Sequence, residues 1–133
     1  MLRYLITFSF FLSLLINVPI VAAAECNPSG SQLEMNQCAL EDFEKIDTEL
    51  NRVWQQLLEK EQANPAYIQK LRAAQRAWIS FRDAEVAAMF ACEDTNPRHC
   101  WGSMYPMLYH AMLGELTEER ARRLKLYLSL IHI

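Results

Sequence analysis

Four cysteines, Cys26, Cys38, Cys92 and Cys100, carry most of the latent chemistry in this 133-residue sequence, and two chemistries compete for them. Oxidised, they form two disulfides. As thiolates, Cys92 and Cys100 would instead join His99 in a metal site. An even cysteine count favours disulfides over free thiols in a small exported chain, and export is what the N-terminus indicates below. Three pairings are open. Joining sequence neighbours, Cys26 with Cys38 and Cys92 with Cys100, is favoured because each bond would tie an arm or loop to the end of a helix. Closing either short loop contributes on the order of 2 to 3 kcal/mol. The zinc alternative has no CxxC pair and no evident fourth ligand, whereas tetrahedral sites usually declare themselves by spacing, so neither a metal nor another cofactor is expected.

Catalytic chemistry finds little support. His99, His110 and His132 stand at no recognisable spacing from an acid or a nucleophile. There is no nucleophile elbow, no glycine loop to cradle phosphate and no metal-ligand pair at helical spacing. A compact helical chain with three glycines also leaves little room for a substrate pocket, so the protein is read as a non-enzyme.

The elements that must position these residues begin with a leader. Met1 to Tyr4 carries one positive charge, residues 5–21 are almost entirely apolar, and Val21-Ala22-Ala23-Ala24 precedes the polar Glu25. This is the layout of a cleavable signal peptide, with cleavage expected after Ala24. An uncleaved anchor is the competing reading, against which Ser9, Ser13, Asn17 and Pro19 interrupt the apolar run. Lipid attachment is disfavoured because Glu25, not a small residue, precedes Cys26. A periplasmic or secreted location follows, with no membrane association after cleavage. The full chain has 13 Lys+Arg against 16 Asp+Glu. Loss of Arg3 with the leader lowers the net charge from −3 to −4, which disfavours nucleic acid as a partner and tolerates a cationic protein.

What remains, residues 25–127, reads as one all-α domain, a small antiparallel bundle of three to four helices with two disulfides. Ser31 with Glu34 makes a capping box, and Leu40, Phe43, Leu50, Trp54 and Leu57 form a stripe along a helix ending near residue 62. Asn64-Pro65 starts a second helix, striped by Leu71, Ala74, Trp78, Phe81 and Ala88 and ending near residue 91. Residues 92–102 read as a loop. A short helix over about 103–113 and a last one from a Thr117 cap to about 128 complete the set. Trp101, Tyr105 and Tyr109 make either an exposed aromatic patch or, at this spacing, part of the core. The apolar ending, residues 128–133, resembles vector-derived read-through; it is set aside as a non-native tail, and His132 with it.

A short turn between the first two long helices predicts that they pack antiparallel, with facing residues whose numbers sum to about 128. Leu50 then meets Trp78, Trp54 lies near Gln75, and Asp47 faces Arg82 in an apolar seam as a structural ion pair. Asn36 and Gln75 are expected to find partners across the bundle.

Four strings point to a family. QLEMNQCA at 32–39, AQRAWISFRDAE at 74–85, GSMYP at 102–106 and LTEER at 116–120 resemble, in order, the LprI-like lysozyme-inhibitor family. Two positions depart from its pattern: Val86 and about Met112 stand where the family usually has cysteines. Their joint loss is expected if those positions form one disulfide in relatives, with Cys92–Cys100 as a substitute staple nearby.

The resemblance implies a binding protein. An inhibitor of a cationic glycoside hydrolase has only to occupy a cleft whose chemistry depends on two carboxylates. Cationic or hydroxyl side chains suit that purpose, and the partner-binding candidates are Arg76, Arg98, His99, Trp101 and Ser103. The loop 92–102 is the preferred contact because a preorganised loop loses less entropy on binding, although it also reads as a plain helix connection. Lysozyme or another cell-wall hydrolase is the implied partner. The alternative is an envelope binding or immunity module with no lysozyme affinity.

Overall fold

A computed structural model describes residues 26–130. The expected leader, residues 1–24, and His132 lie outside the described residues. Three long helices dominate: α1 (Gln32–Lys60), α2 (Pro65–Met89) and α4 (Tyr105–Ser129), with a single helical turn, α3 (Arg98–Trp101), and a 3-10 turn (Gly102–Met104) leading into α4. Among the described residues there is no strand, and no helix is long and apolar enough to cross a membrane.

Local chemistry accounts for where the first two helices start. The Ser31 hydroxyl accepts from the Glu34 N–H at 3.4 Å, and the Glu34 carboxylate accepts from the Ser31 N–H at 2.7 Å, so both orphan donors are satisfied. These bonds from Ser31 hold the Glu34 carboxyl below the usual carboxylate range. At α2, the Asn64 side chain accepts from the Tyr67 N–H at 3.1 Å and Pro65 occupies the first turn, where its missing N–H costs nothing. Cys26 is bonded to Cys38 and Cys92 to Cys100, with Cα atoms 5.1 and 6.0 Å apart. The first disulfide pins the N-terminal arm to α1, and the second closes the loop between α2 and α3.

The chain runs up along α1, down along α2 and up again along α4. Parallel order of α1 and α4 shows in their contacts: Asn36 reaches Ser103, Phe43 stacks on His110, and Lys60 donates to the Leu128 carbonyl at 2.6 Å. One core cluster joins Leu50, Val53 and Leu57 of α1, Leu71 of α2, and Ala121 and Leu124 of α4. A second, toward the loop end, joins Val86, Phe90 and Leu113, with Phe43, Tyr105, Tyr109 and Met112 packed on it. Val86 and Met112, the two positions that depart from the family's cysteine pattern, therefore belong to one apolar cluster. Burying these side chains away from water supplies the main favourable term for the bundle.

Three expectations are corrected here. The separate helices expected over 103–113 and from 117 are one continuous helix, and Thr117 is no cap but a buried mid-helix residue. Gly114, a helix-weakening residue, is tolerated because α1 comes close: a Cβ there would stand 3.3 Å from Ile46 Cδ1. Secondly, α1 packs most closely on α4 rather than on α2. The sum rule assumed two helices back to back; a third helix takes the closest place beside α1, and Asp47 and Arg82 do not pair. Asp47 accepts from Asn51 one turn on at 3.0 Å, while Arg82, its side chain 16% exposed, binds the adjacent Asp83 at 2.8 Å. Thirdly, Phe81 is 55% exposed instead of belonging to the core. The inward line of α2 runs through Leu71, Gln75, Trp78, Arg82 and Val86, and one residue step turns a helix by about 100°, which carries Phe81 out of that line.

Candidate functional site

The stapled loop is built from its own side chains. Asp94 Oδ1 accepts from the Asn96 N–H at 2.9 Å, and Asp94 Oδ2 lies 2.7 Å from His99 Nδ1. The Asn96 N–H first, and His99 next, hold the Asp94 carboxyl below its ordinary range. Asn96 Oδ1 accepts from the Arg98 N–H at 3.1 Å, and the Pro97 carbonyl accepts from the N–H groups of Cys100 and Trp101. Gly102 then reverses the chain at φ +65°, a conformation that side chains disfavour. Asn36 of α1 donates to the Ser103 carbonyl at 3.1 Å, anchoring the far end of the turn. With the Cys92–Cys100 bond, the loop is braced at both ends.

Of the five residues expected to contact a partner, four are brought together here. Arg98, His99, Trp101 and Ser103 all lie exposed on the α3 turn and the residues that follow it. Arg98 makes no ion pair among the described residues, so its guanidinium is available to an incoming carboxylate. His99 is exposed but bound to Asp94, which makes it a brace of the loop. Trp101 is 37% exposed, with its ring edge-on to Phe90 at 5.2 Å. Tyr105 and Tyr109 are half-buried around the same Phe90, so the aromatic trio is mostly core. Arg76 does not join them. It sits on α2, along a separate groove with Trp54, Arg72 and Ile79.

A second constellation escaped the sequence reasoning. The Trp78 ring carries two guanidinium groups, Arg82 at 5.2 Å and Arg120 at 5.7 Å from its centroid. Arg120 Nε donates to Gln75 Oε1 at 2.9 Å, giving Gln75 the cross-bundle partner expected of it. Trp78, Gln75 and Arg82 come from the 74–85 string, and Arg120 from the 116–120 string. The available signal was the helical spacing of Arg120, Arg123 and Tyr127, which places them on neighbouring turns of one face. Their proximity to Trp78 depends on α2 and α4 running antiparallel, which no local pattern encodes.

Among the described residues no group of three or more His, Cys, Asp or Glu side chains is arranged to hold a metal ion. Both sulfurs of the alternative zinc site are consumed in the Cys92–Cys100 bond.

Comparison with known proteins agrees with the sequence strings. An uncharacterised protein of Rhizobium meliloti (strain 1021) is 35% identical over 112 residues, covering 76% of this chain and 76% of the relative. No solved structure gives a significant match. The sequence model of the family described as lysozyme inhibitor LprI, which is named for inhibition and not for a catalysed reaction, matches residues 23–124. Over residues 23–124 the match covers most of the sequence, and the chain belongs to the lysozyme inhibitor LprI family.

Proposed function

We propose that this protein is exported on a leader cleaved after Ala24 and acts outside the cytoplasm as a binding protein that blocks a lysozyme-type cell-wall hydrolase. Two disulfides in so small a domain suit an oxidising compartment. The observation that carries the reading is the stapled loop, a preorganised projection that offers the unpaired Arg98 guanidinium beside the exposed Trp101. A glycoside hydrolase works with two carboxylates across its cleft. A guanidinium can bind one of them through paired hydrogen bonds, and a loop already held in shape gives up little entropy in doing so.

The test is lysis of a peptidoglycan suspension by lysozyme with added mature chain. Wild-type protein in micromolar excess slows lysis, and Arg98→Ala weakens inhibition by about tenfold, equivalent to roughly 1.4 kcal/mol. Unchanged lysis with the wild-type chain removes the inhibitor reading and leaves an envelope binding or immunity module. Inhibition that survives Arg98→Ala and Trp101→Ala undiminished removes the loop as the contact.

A further inference from the structure

A groove of about 290 Å³ opens between α2 and α4, lined by Trp78, Phe81, Leu116, Arg120, Arg123 and Tyr127. Its charge is not balanced from within. Arg82, stacked on the same Trp78, has Asp83 for a counter-ion, but Arg120 has only the neutral Gln75 amide oxygen and the Tyr127 hydroxyl beside it. Nη2 of Arg120 is shut off from solvent and Nε is held by Gln75, so a group entering the groove meets the guanidinium at Nη1. Glu119 also lines the groove, yet no ion pair joins it to Arg120 or Arg123. Burial is the leading influence on the Arg120 guanidinium and pushes it below an arginine's ordinary value; the group remains charged all the same.

A half-buried cation with neutral partners is an incomplete arrangement, because a desolvated charge is compensated only by an opposite charge or a full set of hydrogen bonds. A second cation would be repelled, and a neutral apolar occupant would desolvate the guanidinium further. Apart from the Glu119 carboxylate the remaining walls are aromatic or aliphatic, and Phe81, 55% exposed, takes no part in the core. The groove is at the small end of ligand-binding volumes, so it accepts one residue-sized group.

We propose that this groove binds a carboxylate carried on a small apolar body, the chemistry of a peptide's free C-terminal residue, with Arg120 and Arg123 holding the carboxylate and Phe81 and Leu116 contacting the apolar side chain. The site is separate from the stapled loop and does not depend on lysozyme being the partner.

The test uses the mature chain and three probes: acetyl-Gly-Gly-Phe with a free carboxylate, the same peptide as its amide, and acetate. The Arg120 Nε–H resonance is followed by NMR. The free acid shifts it saturably at about millimolar concentration, while the amide and acetate each bind at least about tenfold more weakly, since each lacks half of the recognition. Arg120→Lys keeps the charge but loses the planar fork, and weakens binding by about tenfold; exposed Arg123→Gln does the same with the fold undisturbed. Should Arg120→Lys fail to fold, Arg123→Gln and Phe81→Ala decide the matter. Equal binding of acid and amide, acetate as tight as the peptide, no saturable shift, or unchanged affinity in Arg123→Gln and Phe81→Ala each overturns the proposal. Loss of lysozyme inhibition leaves this outcome untouched.

Discussion

Replacing Thr117 by valine stabilises the protein. Thr117 is 0% exposed in the middle of α4, and its Oγ1 has no hydrogen-bond partner among the described residues. A buried hydroxyl without a partner costs about 1 to 3 kcal/mol by the measure of mutational data. Valine keeps the branched shape, puts a methyl group where the hydroxyl was, and has nearly the same helix propensity. Removing the desolvated hydroxyl and burying a methyl worth about 0.8 kcal/mol gives an expected gain of about 1 to 2 kcal/mol. For a domain of this size each kcal/mol raises Tm by about 4–8 °C. The assay is urea unfolding followed by far-UV circular dichroism with the disulfides intact, comparing midpoints at constant slope. Thr117→Ser, which keeps the hydroxyl and deletes the methyl, serves as the control and falls below wild type. A valine variant less stable than wild type by about 0.5 kcal/mol or more refutes the reasoning, because the hydroxyl must then be bonded, most simply to the carbonyl one turn back.

Other perturbations have equally definite signs. Gly102→Ala, at φ +65° and ψ −157°, destabilises by about 1 to 3 kcal/mol although no atom stands within 4 Å of the new Cβ, and Gly114→Ala stays close to neutral because helix propensity offsets the 3.3 Å approach to Ile46; thermal unfolding of the pair checks both. Cys92→Ser with Cys100→Ser removes the constraint on the 92–100 loop and lowers stability by about 2.5 kcal/mol on the loop-entropy estimate, with a greater proportional loss of loop-dependent inhibition. Undiminished inhibition in that double variant would show that preorganisation of the loop is unimportant. Arg52 first, and Lys125 reaching across from α4, hold the Glu49 carboxyl at about 2, down from an ordinary 4.5. Because the folded value is the lower one, stability from Glu49 is complete above about pH 4.5 and disappears as the pH falls to about 2. Glu49→Gln therefore flattens that part of the Tm-against-pH curve, and added salt shrinks the difference between the two proteins.

Much of this structure was legible before any tertiary contact was known, and the reason is range. The Ser31–Glu34 box and the Asn64-Pro65 start involve groups within one helical turn, so their energy is present in the local chain whatever the rest of the molecule does. The two disulfides join sequence neighbours and stand where local loop closure favours them. The 92–102 loop likewise carries its own Asx turns and proline. It was identifiable from composition, with Arg98 and His99 as exposed residues within it.

The parts that were not legible depend on which helix lies beside which. Local signals at Gly114 and Thr117 favour a break of about a kcal/mol per residue, and burial of Ala121 and Leu124 against α1 and of Leu113 with Val86 and Phe90 outweighs them, so one helix forms where two were expected. The seam arithmetic for α1 and α2 failed because α4 packs closest to α1, and Arg82 took its neighbour Asp83 in place of Asp47. Sequence alone determined the first two long helices, their caps and the family, and favoured the disulfide pairing that the structure shows, since each follows from short-range chemistry or from the order of residues. Only the tertiary structure decided that α1 and α4 run side by side and that Trp78 meets Arg120, because pairing of distant segments is set by the summed burial of whole faces, which no window of sequence contains.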